Sequence, residues 1–158
     1  MASSLLTRLF AVAGQFFFER PSKSLDYDAH MNALRDSGEL LVAQMRNARD
    51  DQSNRAVIGH IIGIEHWAQA RLRELLGAAP FREEYDAYKP PAHHTVSELA
   101  EIMMQTRQQT CAMVAHLATD RIALSQRVTH NQFGPLSAGG WLVYIRTHGI
   151  LESKKLHK

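Results

Sequence analysis

The sequence predicts an all-α protein, a four-helix bundle with one long crossover between its second and third helices. Three observations predict it. Apolar residues recur at three- and four-residue steps in four separate long stretches. No alternating pattern of useful length marks a strand, although Val128 could be extended. The segment from Ala78 to His94 carries Pro80, Pro90 and Pro91 together with Phe81, Tyr85 and Tyr88. A connection of that length is unusual between antiparallel neighbours, and it suits a crossover that leaves the second and third helices roughly parallel.

The chain opens on an apolar run from Leu5 to Phe18. Ala11-Val12-Ala13 has the small residues of a signal-peptidase site, but Arg8 interrupts the run and no clear basic region precedes it. The run is also shorter than the roughly 20 residues that span a bilayer, and no other segment could cross a membrane. Residues 1–24 are therefore expected to form a short helical segment that packs on the bundle or on a partner subunit. Residues 25–158 are expected to form the bundle itself.

Arg20-Pro21-Ser22-Lys23-Ser24 breaks the N-terminal element. The first long helix is expected from about Asp26 to Ala48, on the stripe Met31, Leu34, Leu41 and Met45. Gly38 falls on that stripe, where it would let a neighbour approach closely. The turn Arg49-Asp50-Asp51-Gln52-Ser53 offers Asp or Ser as a cap. The second helix follows from about Asn54 to Leu76, with Val57, Ile61, Ile64, Ala68 and Leu75 inward, Trp67 at the margin and Gly77 closing it. After the crossover, Thr95 and Glu98 form a capping-box pattern. The third helix then carries Leu99, Ile102, Met103, Thr106, Thr110, Met113 and Leu117 to about Ala118. Asn131-Gln132-Phe133-Gly134-Pro135 is a turn, and Ser137 caps a fourth helix reaching about Leu156, on the stripe Trp141, Ile145, His148 and Glu152.

Composition narrows the function classes. The 158 residues fit one domain, and 45% hydrophobic content supports a sizeable core. The net charge is +2, and although the pI is 8.9, basic residues are scattered among acids. With no basic block interleaved with aromatics, nucleic acid is not an expected partner. Cys111 is the single cysteine, so an internal disulfide and a Cys-rich metal site are excluded, which suits a reducing cytoplasm. It reads as a packed small residue rather than a nucleophile.

Chemistry gathers on the fourth helix. His148 and Glu152 are one turn apart at the polar end of an apolar stripe, where a histidine and a glutamate can close on one cation. Burying them is costly without a partner. His60, between Val57, Ile61 and Ile64 on the second helix, supplies one. Two histidines and a carboxylate from facing helices can bind zinc, nickel or iron(II) and leave positions open for water or substrate. Taken singly, His60 is more often a hydrogen-bonded core histidine, and a His-x-x-x-Glu pair more often a surface ion pair. His66 is expected to point away from His60, and His93, His94, His116 and His157 to be solvated or near helix ends. His30, near the inward stripe of the first helix, is a candidate supporting group. His130 and Asn131, in the loop before the fourth helix, are candidates for substrate contact.

Two stretches resemble the DinB/YfiT-like superfamily of metal-binding four-helix bundles. Ala56-Val57-Ile58-Gly59-His60-Ile61-Ile62-Gly63-Ile64-Glu65-His66-Trp67 is similar to that family's second helix with its histidine ligand. Phe133-Gly134-Pro135-Leu136-Ser137, then Trp141-Leu142-Val143-Tyr144-Ile145 and His148 to Glu152, is similar to its last helix, where two ligands sit four residues apart. The family's usual ligand set is three histidines; here the third position is Glu152, which keeps a donor and changes its charge and hardness. The resemblance implies a divalent-metal-dependent enzyme, transferring a thiol or another small molecule, with metal-assisted hydrolysis as a variant. The alternative is a non-catalytic binding or stress-response module whose polar cluster holds no metal. The excess aromatic surface of Phe10, Phe16, Phe17 and Phe18 predicts a homodimer.

Overall fold

A computed structural model describes residues 9–158. The beginning of the apolar N-terminal run, Leu5 to Arg8, lies outside the described residues. The fold is mainly helical. Helix α1 covers residues 9–22, with a π-helical stretch at Gln15–Glu19 inside it. The long helices are α2 (Tyr27–Arg46), α3 (Gln52–Leu72), α4 (Val96–Thr119) and α5 (Ala138–Ser153). They correspond to the four long helices read from the sequence.

The caps explain where each long helix starts. The carboxylate of Asp26 accepts from the Ala29 amide, that of Asp51 from the Asn54 amide, and Ser137 Oγ from the Gly140 amide. Thr95 and Glu98 make the reciprocal capping box at α4. The second helix ends differently from the expectation: α3 stops at Leu72, and a 3-10 turn, Arg73–Leu76, tightens its last turn before Gly77 at φ 94°. Only a residue tolerant of that left-handed conformation closes the turn without strain.

Helix α2 packs on α4 and α5, and α3 packs on the same two. Two groups of side chains fill the space between them. One gathers Leu41, Met45, Ile58, Ile61, Ile62, Leu99 and Met103; the other is built on Leu34, Leu72, Leu117, Leu136 and Trp141. Trp67, expected at a margin, is fully inside, because the connection after α3 covers it and Glu83 O accepts from its indole N–H at 2.8 Å. A methyl on Gly38 would run into the Arg107 side chain, so the close approach expected there occurs.

The expectation of no strand is corrected. Strands β1 (Arg127–His130) and β2 (Gly134–Ser137) form an antiparallel hairpin in the register His130 to Gly134 and Arg127 to Ser137. Only Val128 and His130 of β1 turn inward, too few to show a period-two signal in the sequence. Gly134, at φ 73°, supplies the left-handed residue the turn needs. The indole of Trp141 donates to Val128 O at 3.1 Å and fixes the hairpin on α5.

Helix α1 packs on α5 and β2. The wider π turn places Phe18 and Glu19 both inward while Phe16 and Phe17 stay exposed. No helix among the described residues is long and apolar enough to cross a membrane.

Candidate metal centre

His60 on α3 and His148 on α5 face each other, with their Nε2 atoms 3.1 Å apart. One turn after His148, the Glu152 carboxylate joins them, and the three donor atoms lie within 4.8 Å of one another. Two nitrogens bound to one tetrahedral zinc at about 2.0–2.1 Å stand about 3.3–3.4 Å apart, so the pair is already near ligand spacing. The residues fit a divalent ion by donor type and by separation.

The protonation states agree with that fit. Burial lowers His148 to about 4, with the charge of His60 adding to it. Burial lowers His60 as well, against the opposing pull of Glu152. Both imidazoles are neutral near pH 7, the form that coordinates metals. Burial would raise Glu152, but the hydrogen bond and charge of Lys155 and the two histidines outweigh it, and the carboxyl sits below its usual range. Lys155 Nζ donates to both carboxylate oxygens at 2.8 Å.

A cavity of about 490 Å³ opens above the two histidines. Its floor is α3 and α5, through His60, Ile64, Trp67, Tyr144 and His148. One wall is the connection after α3, through Glu84 and Tyr85, and the other is the hairpin turn, His130 to Phe133. Tyr85 meets His60 edge to face, with ring centroids 4.9 Å apart. The connection after α3 can lie this close because α3 has Gly63 beneath Lys89, where an added methyl would stand 2.8 Å from Lys89 Cγ and 3.3 Å from the Lys89 backbone.

Arg71 ties the two walls together. It is buried at the end of α3, donates to Phe81 O and to Asn131 Oδ1, and stacks over Phe81 at 4.3 Å. Asn131 in turn donates to Glu84 Oε1 at 2.8 Å. Asn131 therefore does line the cavity, but its amide is occupied in joining the hairpin to the connection after α3. Nothing in the sequence singled out Arg71, since a basic residue near a helix end looks like an ordinary surface charge.

His130 lines the cavity too, as an inward residue of β1. Its Nδ1 accepts from the amides of Gln132 and Phe133, and its Nε2 is sealed without a partner. Burial, reinforced by the charges of Arg71 and His148, lowers it to about 3. His30 is elsewhere. It is buried against Ser22 and Gly139 near the start of α5 and is not part of the cavity lining. His66 turns away from His60, as expected, and pairs with Thr106 Oγ1 at 2.9 Å.

A second polar cluster is invisible to sequence reasoning. Glu65 and Arg107 are both buried and form a two-pronged ion pair at 2.7 and 2.9 Å. Arg107 also donates to Leu34 O and Ser37 Oγ, and Thr110 donates to Glu65. Every partner needed for such a buried pair is present, and it joins α2, α3 and α4 behind the site.

Similarity to known proteins agrees with this architecture. No curated protein and no solved structure matches the chain. A family model described as the DinB superfamily matches residues 16–151, from the π turn of α1 to the last turn of α5 and across both histidines. The chain belongs to the DinB superfamily.

Proposed function

We propose that the protein is a divalent-metal-dependent enzyme in which His60, His148 and Glu152 hold zinc, nickel or iron(II), and that a small molecule or thiol reacts in the cavity above them. The helices are read as a four-helix bundle whose crossover serves as one wall of the active site. One observation carries the proposal: three donor atoms from two helices converge within 4.8 Å, with two of their residues in the floor of a cavity. A bound divalent ion would supply a Lewis acid and lower the pKa of a water or thiol beside it. The chain's own part is to hold the two imidazoles neutral, to give an apolar body a place against Ile64, Trp67, Tyr85 and Phe133, and to keep both walls in place through Arg71. Thiol or small-molecule transfer is the reaction class proposed, with metal-assisted hydrolysis as its variant, in the cytoplasm.

Untagged protein should carry close to one divalent ion per chain by elemental analysis. His60→Ala or Glu152→Ala should remove most of it. Added zinc at a hundredfold excess over its dissociation constant should stabilise the fold by about 2.7 kcal/mol. A metal content unchanged by either substitution would sink the centre as drawn.

The second reading is a non-catalytic module with an internally satisfied polar cluster. It is favoured by the Lys155–Glu152 ion pair and by the direct His60–His148 contact. It predicts no stoichiometric metal and no shift in melting temperature with zinc, nickel or iron(II).

A further inference from the structure

We propose that the Tyr144 hydroxyl is a ligand-contacting hydrogen-bond donor in the cavity, serving a carbonyl or oxyanion oxygen on a small molecule with a flat, apolar body. The proposal rests on the metal-centre reading only in placing the ligand's other polar atoms at His60, His148 and Glu152.

Tyr144, His148 and Glu152 stand four residues apart on α5, so they form one row along the helix. The Tyr144 ring is wedged among those of Phe18 at 5.3 Å, His130 at 4.7 Å, Phe133 at 6.0 Å, Trp141 at 5.7 Å and His148 at 5.7 Å. A ring held on so many sides cannot swing away, which makes its hydroxyl a fixed donor and lowers the ordering cost of using it. That hydroxyl has no hydrogen-bond partner among the described residues. The sealed polar atoms without partners belong to His30, Arg71, His94 and His130, and the Tyr144 oxygen is not one of them. Its residue lines the cavity, so the oxygen is reached from there.

The lining sets the class of ligand. Ile64, Trp67, Tyr85 and Phe133 present flat or branched apolar surface. Glu84 at the rim and Glu152 beside the histidines disfavour a multiply charged anion. The Asn131 amide is committed to the connection after α3, and the one ring nitrogen of His130 left free by the turn, Nε2, is sealed from the cavity, so neither competes with Tyr144 as a donor. What fits is an uncharged or singly anionic aryl compound with a carbonyl or oxyanion group.

Tyr144→Phe removes the hydroxyl and keeps the ring in its clamp. With zinc-loaded protein and benzohydroxamate as the probe, calorimetry should show the dissociation constant rising about tenfold in Y144F, with zinc stoichiometry unchanged. A change of less than twofold overturns the proposal, and so does loss of zinc in the variant. A second readout needs no metal. In protein labelled with 13Cζ-tyrosine, the Tyr144 resonance, assigned by its absence from Y144F, should move when benzohydroxamate is added to the zinc form or benzamide to the zinc-free form. A resonance that stays in place with both probes overturns the donor role whether or not zinc binds. Wild-type protein that takes up no zinc overturns the metal-centre reading alone.

Discussion

Lys155 is the residue that a metal at Glu152 has to displace. Its ammonium holds both carboxylate oxygens, yet its side chain is 61% exposed and the pair is screened by water. Exposed ion pairs contribute about 0–1 kcal/mol, so the cost of releasing Glu152 is small but real. Lys155→Met should therefore tighten zinc about two- to fivefold in a competition titration against a coloured chelator. Weaker binding in the variant would mean that Lys155 supports the centre instead of opposing it. The same scale shows what a sequence can disclose about a site. His60, His148 and Glu152 were legible because polar residues on an apolar stripe, one turn apart, are costly without a partner. Tyr144, Arg71 and the Glu65–Arg107 pair were not. Each is an ordinary residue in a helical pattern, and its role depends on what another element places against it: five aromatic neighbours, two loop walls, or a glycine at Gly38.

At the scale of elements, the long helices were legible because their stripes persist over many turns and their caps carry polar side chains. The hairpin was not, since four-residue strands with two inward side chains leave no period to detect. Helix α5 was only partly legible: from Ala138 to Ile145 it is buried all round, so its apolar stripe says little about orientation. Its start is instead fixed by α1. The buried Glu19 carboxylate, brought inward by the π turn, accepts from the Ser137 amide at 2.6 Å, and a methyl on Gly140 would overlap it. A carboxylate at a helix N-terminus satisfies an orphan amide and meets the positive end of the helix dipole. Glu19→Ala should therefore cost about 1–2 kcal/mol in urea unfolding, the range for loss of a capping side chain. The same variant should loosen the docking of Phe18 on Tyr144, read as faster hydrogen exchange in α1 than in α3. Unchanged stability would show that α1 is held by its apolar contacts alone.

At the scale of the whole molecule, α1 has two apolar faces and the chain uses one of them. Phe10 and Phe18 pack against Phe133, and Phe18 reaches Tyr144. Leu9, Val12, Phe16 and Phe17 remain 64%, 65%, 59% and 61% exposed. The π turn is responsible, because it rotates Phe16 and Phe17 outward together. Large apolar side chains scattered singly on a surface need no partner, but four on one short helix form a patch of the kind that associates. Two-fold closure lets the same patch meet itself, so the expected assembly is a homodimer through α1. Burying a phenylalanine contributes about 1.5–3 kcal/mol, and a two-fold seam would set Phe16 and Phe17 of both copies against the cost of association. Light scattering at about 10 μM or above should return twice the chain mass. Phe16→Glu with Phe17→Glu should return the monomer mass while leaving the zinc stoichiometry of the centre intact. Those two residues point away from Phe133 and Tyr144, so a loss of metal on separation would tie the candidate metal centre to the assembly, and a wild-type monomer would end the dimer altogether.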